Sequence, residues 1–194
     1  PGTRGALTAH LGGLGFNIDE AIEAGLIRRS DDGSLWDFFR GRLMFPIHDR
    51  RGRLAGFGAR SLDGSDPKYL NTPATPVFDK RATLYGLHMA VAPIREQDTA
   101  VVVEGYMDAI ALAEAGFGHA VAPLGTALTE DQIALLWRAG PEPVLCFDGD
   151  KAGVGAAFRA PDRALPHVEP VPSLYFVPLP RCLDPHHLIL GRGP

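Results

Sequence analysis

The sequence predicts an α/β protein, a mainly parallel sheet with flanking helices, preceded by part of a smaller α+β region. Three observations carry that expectation. From about residue 97 onward, short apolar runs rich in β-branched residues alternate with segments of helical spacing, the order that builds βαβ units. The runs are continuously apolar ("AVVV", "PVLCF"), as strands covered on both faces require. Upstream, two apolar runs flank Asp49-Arg50-Arg51-Gly52, a hairpin pattern with glycine in its turn.

Taken in order, residues 1–39 read as helical, because "NIDEAIEAGLI" puts Ile18, Ala21, Ile22 and Leu26 at helical spacing with Gly25 near the end. "LMFPIHDRRGRLAGFGARS" is the hairpin, and Arg60 ends its second strand. "DGSDPKYLNTPATPVFDKRATLYG" is rich in Pro, Asp, Asn and Thr and reads as loop as far as Leu84. A loop of that length in a compact domain is usually functional, and this one carries Lys68, Asn71, Lys80 and Arg81, side chains suited to holding phosphates. Next, "TAVVVE" reads as a strand, "MDAIALAEAGF" as a helix and "HAVAPLG" as a second strand. "LTEDQIALLWRAG" opens on Thr129-Glu130-Asp131-Gln132, a capping-box spacing that sets a helix start near Thr129. "PVLCFDGD" is a third strand, "KAGVGAAFRAPDRAL" is largely helical up to Pro161, and "SLYFVPL" is a fourth strand. The change of pattern divides residues 1–96 from residues 97–190.

Composition narrows the function. At 194 residues and 45% hydrophobic, the chain is a globular polypeptide rather than a disordered or collagen-like one. No apolar run approaches the roughly 20 residues that cross a bilayer, and the N-terminus lacks the order of a secretion signal, so a cytoplasmic chain with no membrane partner is expected. Cys146 and Cys182 stand far apart without a CxxC partner, which encodes neither a disulfide framework nor a zinc site. Charge is segregated: residues 1–39 carry 3 basic and 6 acidic side chains, residues 40–95 carry 10 and 4, and residues 96–194 carry 6 and 13. A basic middle beside an acidic last half is the pattern of a chain that attracts phosphate on one surface and holds cations on another.

The acidic half places its carboxylates in a telling way. Glu104 follows "VVV", Asp148 and Asp150 follow "VLCF", and Asp184 lies a few residues past "FVPL". Ligands of open parallel sheets gather where the strands end, so these acids are expected to converge there. Several carboxylates at one partly desolvated edge repel one another unless protons or cations neutralise them, and a hard divalent cation such as magnesium suits such oxygen donors. Gly105 and Gly149 each follow an acid directly, where a missing Cβ permits a sharp turn and close approach of a phosphate or metal. Asp108, four residues after Glu104, either faces the same place or simply favours the dipole of its own helix.

"VVVEGYMDAIAL" and "CFDGDKAG", with "PLGTALTEDQI" between them, resemble the Toprim signature of bacterial primases, topoisomerases and certain nucleases. Together with "RLMFPIHDRRGRLAGFGARSL" and "PKYLNTPATPVFDKRATLYGL", they resemble the catalytic core of bacterial replicative DNA primases over nearly the whole chain. The resemblance implies a Toprim-type sheet preceded by part of the α+β N-terminal subdomain. It further implies a DNA-dependent RNA polymerase core that binds single-stranded DNA template and ribonucleoside triphosphates and makes short RNA primers by metal-dependent nucleotidyl transfer. By that likeness Glu104, Asp108, Asp148 and Asp150 are catalytic. Glu104, Asp148, Asp150 and Asp184 hold metal, as two Mg2+ or Mn2+ ions, with no zinc. Arg60, Lys68, Asn71 and Lys80 line the nucleic-acid and nucleotide surface.

Departures from the family pattern are also legible. Where the family reads D-P-D, this chain reads Asp184-Pro185-His186, and imidazole binds magnesium poorly. Either the remaining acids suffice or the copy is impaired. The opening Pro1-Gly2 and the missing zinc ligands read as a core fragment, one that would meet a zinc-binding domain and the replicative helicase only through regions it lacks. Two alternatives remain on the residues alone: a Toprim metal-dependent nuclease with water as nucleophile, or a primase-like fragment that binds nucleic acid without full activity.

Overall fold

The computed structural model describes residues 3–125, 127–140, 142–149, 174–180 and 183–192. They form two compact units, one of residues up to Ile47 plus Leu54–Asp79, the other of His48–Arg53 and the residues from Lys80 on.

In the first unit, helices α1 (Ala6–Gly13) and α2 (Ile18–Glu23) lead into a two-stranded antiparallel ribbon, β1 (Ile27–Arg29) with β2 (Leu35–Asp37). Asn17 caps α2 by accepting the Asp19 N–H at 2.9 Å, and Gly25, at φ 72°, turns the chain out of the helix. The ribbon corrects the reading of residues 1–39 as helical throughout. Its strands have three residues each, too short to show a period, and its turn is closed by the Gly33 N–H donating to the Ser30 carbonyl at 2.9 Å. Asp37 is wholly buried. Its carboxylate accepts the Leu7 and Thr8 N–H groups at 3.0 Å each and the Thr8 hydroxyl at 2.7 Å, tying β2 to the first turn of α1.

The predicted hairpin is present as β3 (Arg42–His48) and β4 (Leu54–Ser61). A third strand, β5 (Tyr69–Asn71), lies antiparallel beside β4 with Arg60 opposite Tyr69 and Gly58 opposite Asn71. The proline-rich segment is therefore loop only around this strand, which is three residues long and too short to show a period of its own. Buried Thr72 extends the pairing, its hydroxyl accepting the Phe57 N–H at 2.9 Å.

The second unit holds a four-stranded sheet in the order β7-β6-β8-β9, from β6 (Val101–Val102), β7 (Ala120–Val121), β8 (Val144–Leu145) and β9 (Tyr175–Phe176). All three pairings are parallel, as expected from the alternation of strand and helix. Successive residues point to opposite faces. Val102 and Val121 join Leu87, Ile94, Ile133 and Leu136 from α3 (Leu87–Gln97) and α5 (Glu130–Ala139), whereas Val103 and Ala120 join Ala109 and Leu112 from α4 (Tyr106–Glu114). Ile189 of the last helix, α6 (Pro185–Arg192), packs on this second face. Burying a Val or Ile side chain completely contributes about 1.5–3 kcal/mol, so this double-sided core is what fixes the strand ends in place. The helix expected up to Pro161 lies outside the described residues.

Thr129 and Gln132 form the predicted capping box, with the Thr129 N–H donating to Gln132 Oε1 at 3.0 Å and the Gln132 N–H to Thr129 Oγ1 at 3.2 Å. Buried Gln132 does more than cap. Its amide nitrogen donates to the Lys80 carbonyl at 3.0 Å and the Thr83 carbonyl at 2.8 Å, fastening the segment before α3.

Candidate active site

Parallel strands deliver the chain to a single edge of the sheet, and there the acids of the second unit meet. β6 runs through wholly buried Val102 and Val103 to partly buried Glu104, and β8 runs through Leu145 and Phe147 to partly buried Asp148. Glu104 Oε1 accepts the Asp148 backbone N–H at 3.0 Å, so a carboxylate leaving one strand is fixed to the end of its neighbour.

Asp108 stands in the first turn of α4, near Asp184. Burial pushes its carboxyl up, the Asp184 charge pushes it further, and hydrogen bonds with the Gly105 and His186 backbone offset this only in part. The Cys146 thiol registers the same field, pushed up to about 11 by burial first and then by Asp108 and Asp148. Asp184 precedes α6, with Pro185 at the first helical position. It accepts the His187 N–H at 2.6 Å, and both its oxygens lie 2.7 Å from His187 Nδ1. Burial alone would raise Asp184, but those hydrogen bonds and the nearby histidines hold it below the usual carboxylate range.

Four of the acids singled out in the sequence, Glu104, Asp108, Asp148 and Asp184, thus share one neighbourhood, while Asp150 lies outside the described residues. Partly buried carboxylates in one neighbourhood suit a hard divalent cation; among the described residues, the group of three whose ligand atoms lie within 4.8 Å of one another is Asp184, His186 and His187.

The two glycines act differently from the sequence expectation. Gly105 has an ordinary extended backbone, φ -135° and ψ 162°, and its missing Cβ leaves room for Asp108 Oδ2, which a Cβ would meet at 3.4 Å. Gly149 makes no room for a ligand. A Cβ there would overlap the Pro180 backbone carbonyl, and the Gly149 N–H donates to the Leu183 carbonyl at 3.0 Å. That contact brings the residue before Asp184 next to the residue after Asp148.

The basic positions divide between the units. In the first, Arg60 and Lys68 place their charged ends 5.7 Å from the centre of the Tyr69 ring, and Asn71 closes β5. In the second, Lys80 is positioned through its carbonyl by Gln132. In the sequence Tyr69 is passed over and Gln132 is read only as part of a helix cap. The Lys68-Tyr69 adjacency was a usable signal for the first, whereas the partners of Gln132 lie too far along the chain to be seen locally.

Known proteins resemble the chain over nearly its whole length. A model of the DNA primase catalytic core N-terminal domain matches residues 1–91, and a Toprim domain model matches residues 98–171. The DNA primase of Pseudomonas aeruginosa is 47% identical over 188 residues, covering 96% of this chain and 28% of that protein. The chain therefore spans under a third of the length of that curated relative. A crystal structure of a DNA primase domain from Pseudomonas aeruginosa superposes with a TM-score of 0.94 at 46% identity, covering 100% of this chain and 61% of that one. A DnaG primase catalytic domain bound to ssDNA gives a TM-score of 0.90 at 44% identity, covering 100% and 60%.

Proposed function

The chain belongs to the DNA primase catalytic-core family, joining the N-terminal domain of that core to a Toprim domain, and from that premise we propose that it is the core of a primer-synthesising RNA polymerase. In this reading, residues 1–96 are the C-terminal part of the core's N-terminal subdomain, and residues 97–190 are the catalytic Toprim domain. The reaction is nucleotidyl transfer: the 3′-hydroxyl of one ribonucleotide attacks the α-phosphate of the next, and pyrophosphate leaves. The observation that carries it is the gathering of Glu104, Asp108, Asp148 and Asp184 at the carboxyl edge of the parallel sheet.

Glu104, Asp148, Asp150 and Asp184 would hold two Mg2+ or Mn2+ ions. Ions bound there supply charge stabilisation for the attacking and leaving oxygens. Glu104, its carboxylate fixed by the Asp148 N–H, is oriented to take part in moving the hydroxyl proton. Asp108, held up by burial and by Asp184, serves in the same acid-base network. Arg60 and Lys68 neutralise template phosphates beside Tyr69, whose exposed ring offers a stacking surface for a base. Asn71 hydrogen-bonds to the same strand, and Lys80 meets the triphosphate. Single-stranded DNA and ribonucleoside triphosphates are thus the partners, with the zinc-binding domain and replicative helicase engaged by other parts of a full primase. A cytoplasmic location belongs to the same reading, and no helix among the described residues is long and apolar enough to cross a membrane.

Products decide the reaction. Incubation with single-stranded DNA, labelled ribonucleotides and magnesium yields new short RNA that disappears in chelator and in Asp148→Ala. Shortened DNA strands in place of RNA would instead make the protein a Toprim nuclease, and DNA binding unchanged by chelator with no product would make it a binder.

A further inference from the structure

The last helix opens on two histidines beside an acid. Asp184, His186 and His187 each present one ligand atom, and the three atoms lie within 4.8 Å of one another. We infer that these side chains form a site for a borderline first-row divalent cation, with zinc as the type case, distinct in preference from the carboxylate set that suits magnesium.

Donor chemistry comes first. Two imidazoles and one carboxylate are a mixed nitrogen and oxygen set, which favours zinc, cobalt or nickel, whereas magnesium favours oxygen alone. Geometry agrees. Ligands about 2.1 Å from a common tetrahedral ion stand roughly 3.4 Å apart, so the widest pair has to close by up to about 1.4 Å as the ion binds. His187 has the freedom to do so, its side chain being 67% exposed. The remainder is already set: Asp184 is held by the His187 N–H at 2.6 Å, and the two imidazole rings stand 5.4 Å apart at 67°.

Two contributions oppose the ion, the first being the 2.7 Å pairing of His187 Nδ1 with both Asp184 oxygens, which the ion has to replace. The second is the partial positive charge of a helix's first turn, which disfavours a cation. Two carboxylates oppose it, Asp184 as a ligand and Asp108, which interacts electrostatically with both Asp184 and His186. Because Asp184 also belongs to the proposed magnesium set, a borderline metal seated here competes with magnesium for that one side chain. In this respect the inference rests on the polymerase reading, although the cluster itself does not.

Cobalt(II) reports such a site without any nucleotide. Titrated into the full chain in excess magnesium, cobalt is expected to bind at one equivalent with the intense visible absorption of a low-coordinate ion. His186→Ala and His187→Ala should each weaken that binding by at least about tenfold, and His186→Asp should do the same while strengthening magnesium binding. Asp148→Ala, which removes the polymerase site, should leave the cobalt spectrum intact, so the two readings fail separately. Circular dichroism of each histidine variant, partly buried His186 included, verifies that the fold is kept. Displacement of cobalt by equimolar magnesium, a weak octahedral-type spectrum, or binding indifferent to both histidine substitutions would overturn the inference.

Discussion

Glu104 Oε1 accepts the Asp148 backbone N–H at 3.0 Å, so the acid at the end of β6 and the acid at the end of β8 are fixed to each other before any ligand arrives. In the proposed reading this carboxylate both ties the two strands and serves the metal centre, and substitution separates the two. Glu104→Gln keeps an oxygen acceptor and should unfold close to wild type while losing magnesium-dependent primer synthesis. Glu104→Ala should lose synthesis and in addition about 0.5–1.5 kcal/mol of stability, read by urea denaturation.

Gly149 and Gly105 both follow an acid yet should differ sharply on substitution. Alanine at 149 drives a Cβ into the Pro180 carbonyl, a backbone group that cannot turn aside, and should destabilise by about 1–3 kcal/mol or more. Alanine at 105 meets only the Asp108 carboxylate at 3.4 Å in an ordinary extended backbone and should unfold within about 1 kcal/mol of wild type. Parallel denaturation curves of the two variants check this.

Asp37 makes the first unit sensitive to acid. Burial pushes its carboxyl up, but hydrogen bonds from the Thr8 hydroxyl and the Leu7 and Thr8 amides overcome this and hold it below its ordinary value. The stabilisation is then present in full above the unfolded carboxylate pKa of about 3.9 and is lost as pH falls through the lowered folded value. Asp37→Asn should be less stable at neutral pH by about 1–3 kcal/mol, since its amide nitrogen faces a donor. Its deficit relative to wild type should shrink between neutral pH and pH 3, as measured by denaturant titration.

Gln132→Ala leaves the Lys80 and Thr83 carbonyls without their donor at a buried position. A loss of about 1–3 kcal/mol is expected. A larger KM for ribonucleotide than the fall in kcat would follow if Lys80 is positioned for the triphosphate. Gln132→Glu keeps the cap to the Thr129 N–H but not the two donated bonds, and should resemble alanine in KM.

What could be read in the sequence was what is local or strongly periodic. The continuous apolar runs announced strands covered on both faces, and Val102 and Val103 do face opposite cores. Thr129 and Gln132 gave the start of α5 because a capping box spans three residues. The meeting of Glu104 and Asp148 was legible because each follows an apolar strand and parallel strands share an edge. Contacts between distant segments were not. Three-residue strands such as β1 and β5 owe their existence to a partner, and the need for glycine at 149 arises from Pro180. Nothing next to Gln132 foretold its hold on Lys80.

The carboxylates at the sheet edge are proposed to form a metal-dependent nucleotidyl-transfer centre. Calorimetric titration of magnesium and manganese into the wild type and into Asp148→Ala, with ribonucleoside triphosphate present, tests it most directly. Metal binding should promote nucleotide binding in the wild type and be lost in Asp148→Ala. Equal metal binding by both proteins, or nucleotide bound equally well in chelator, would contradict it.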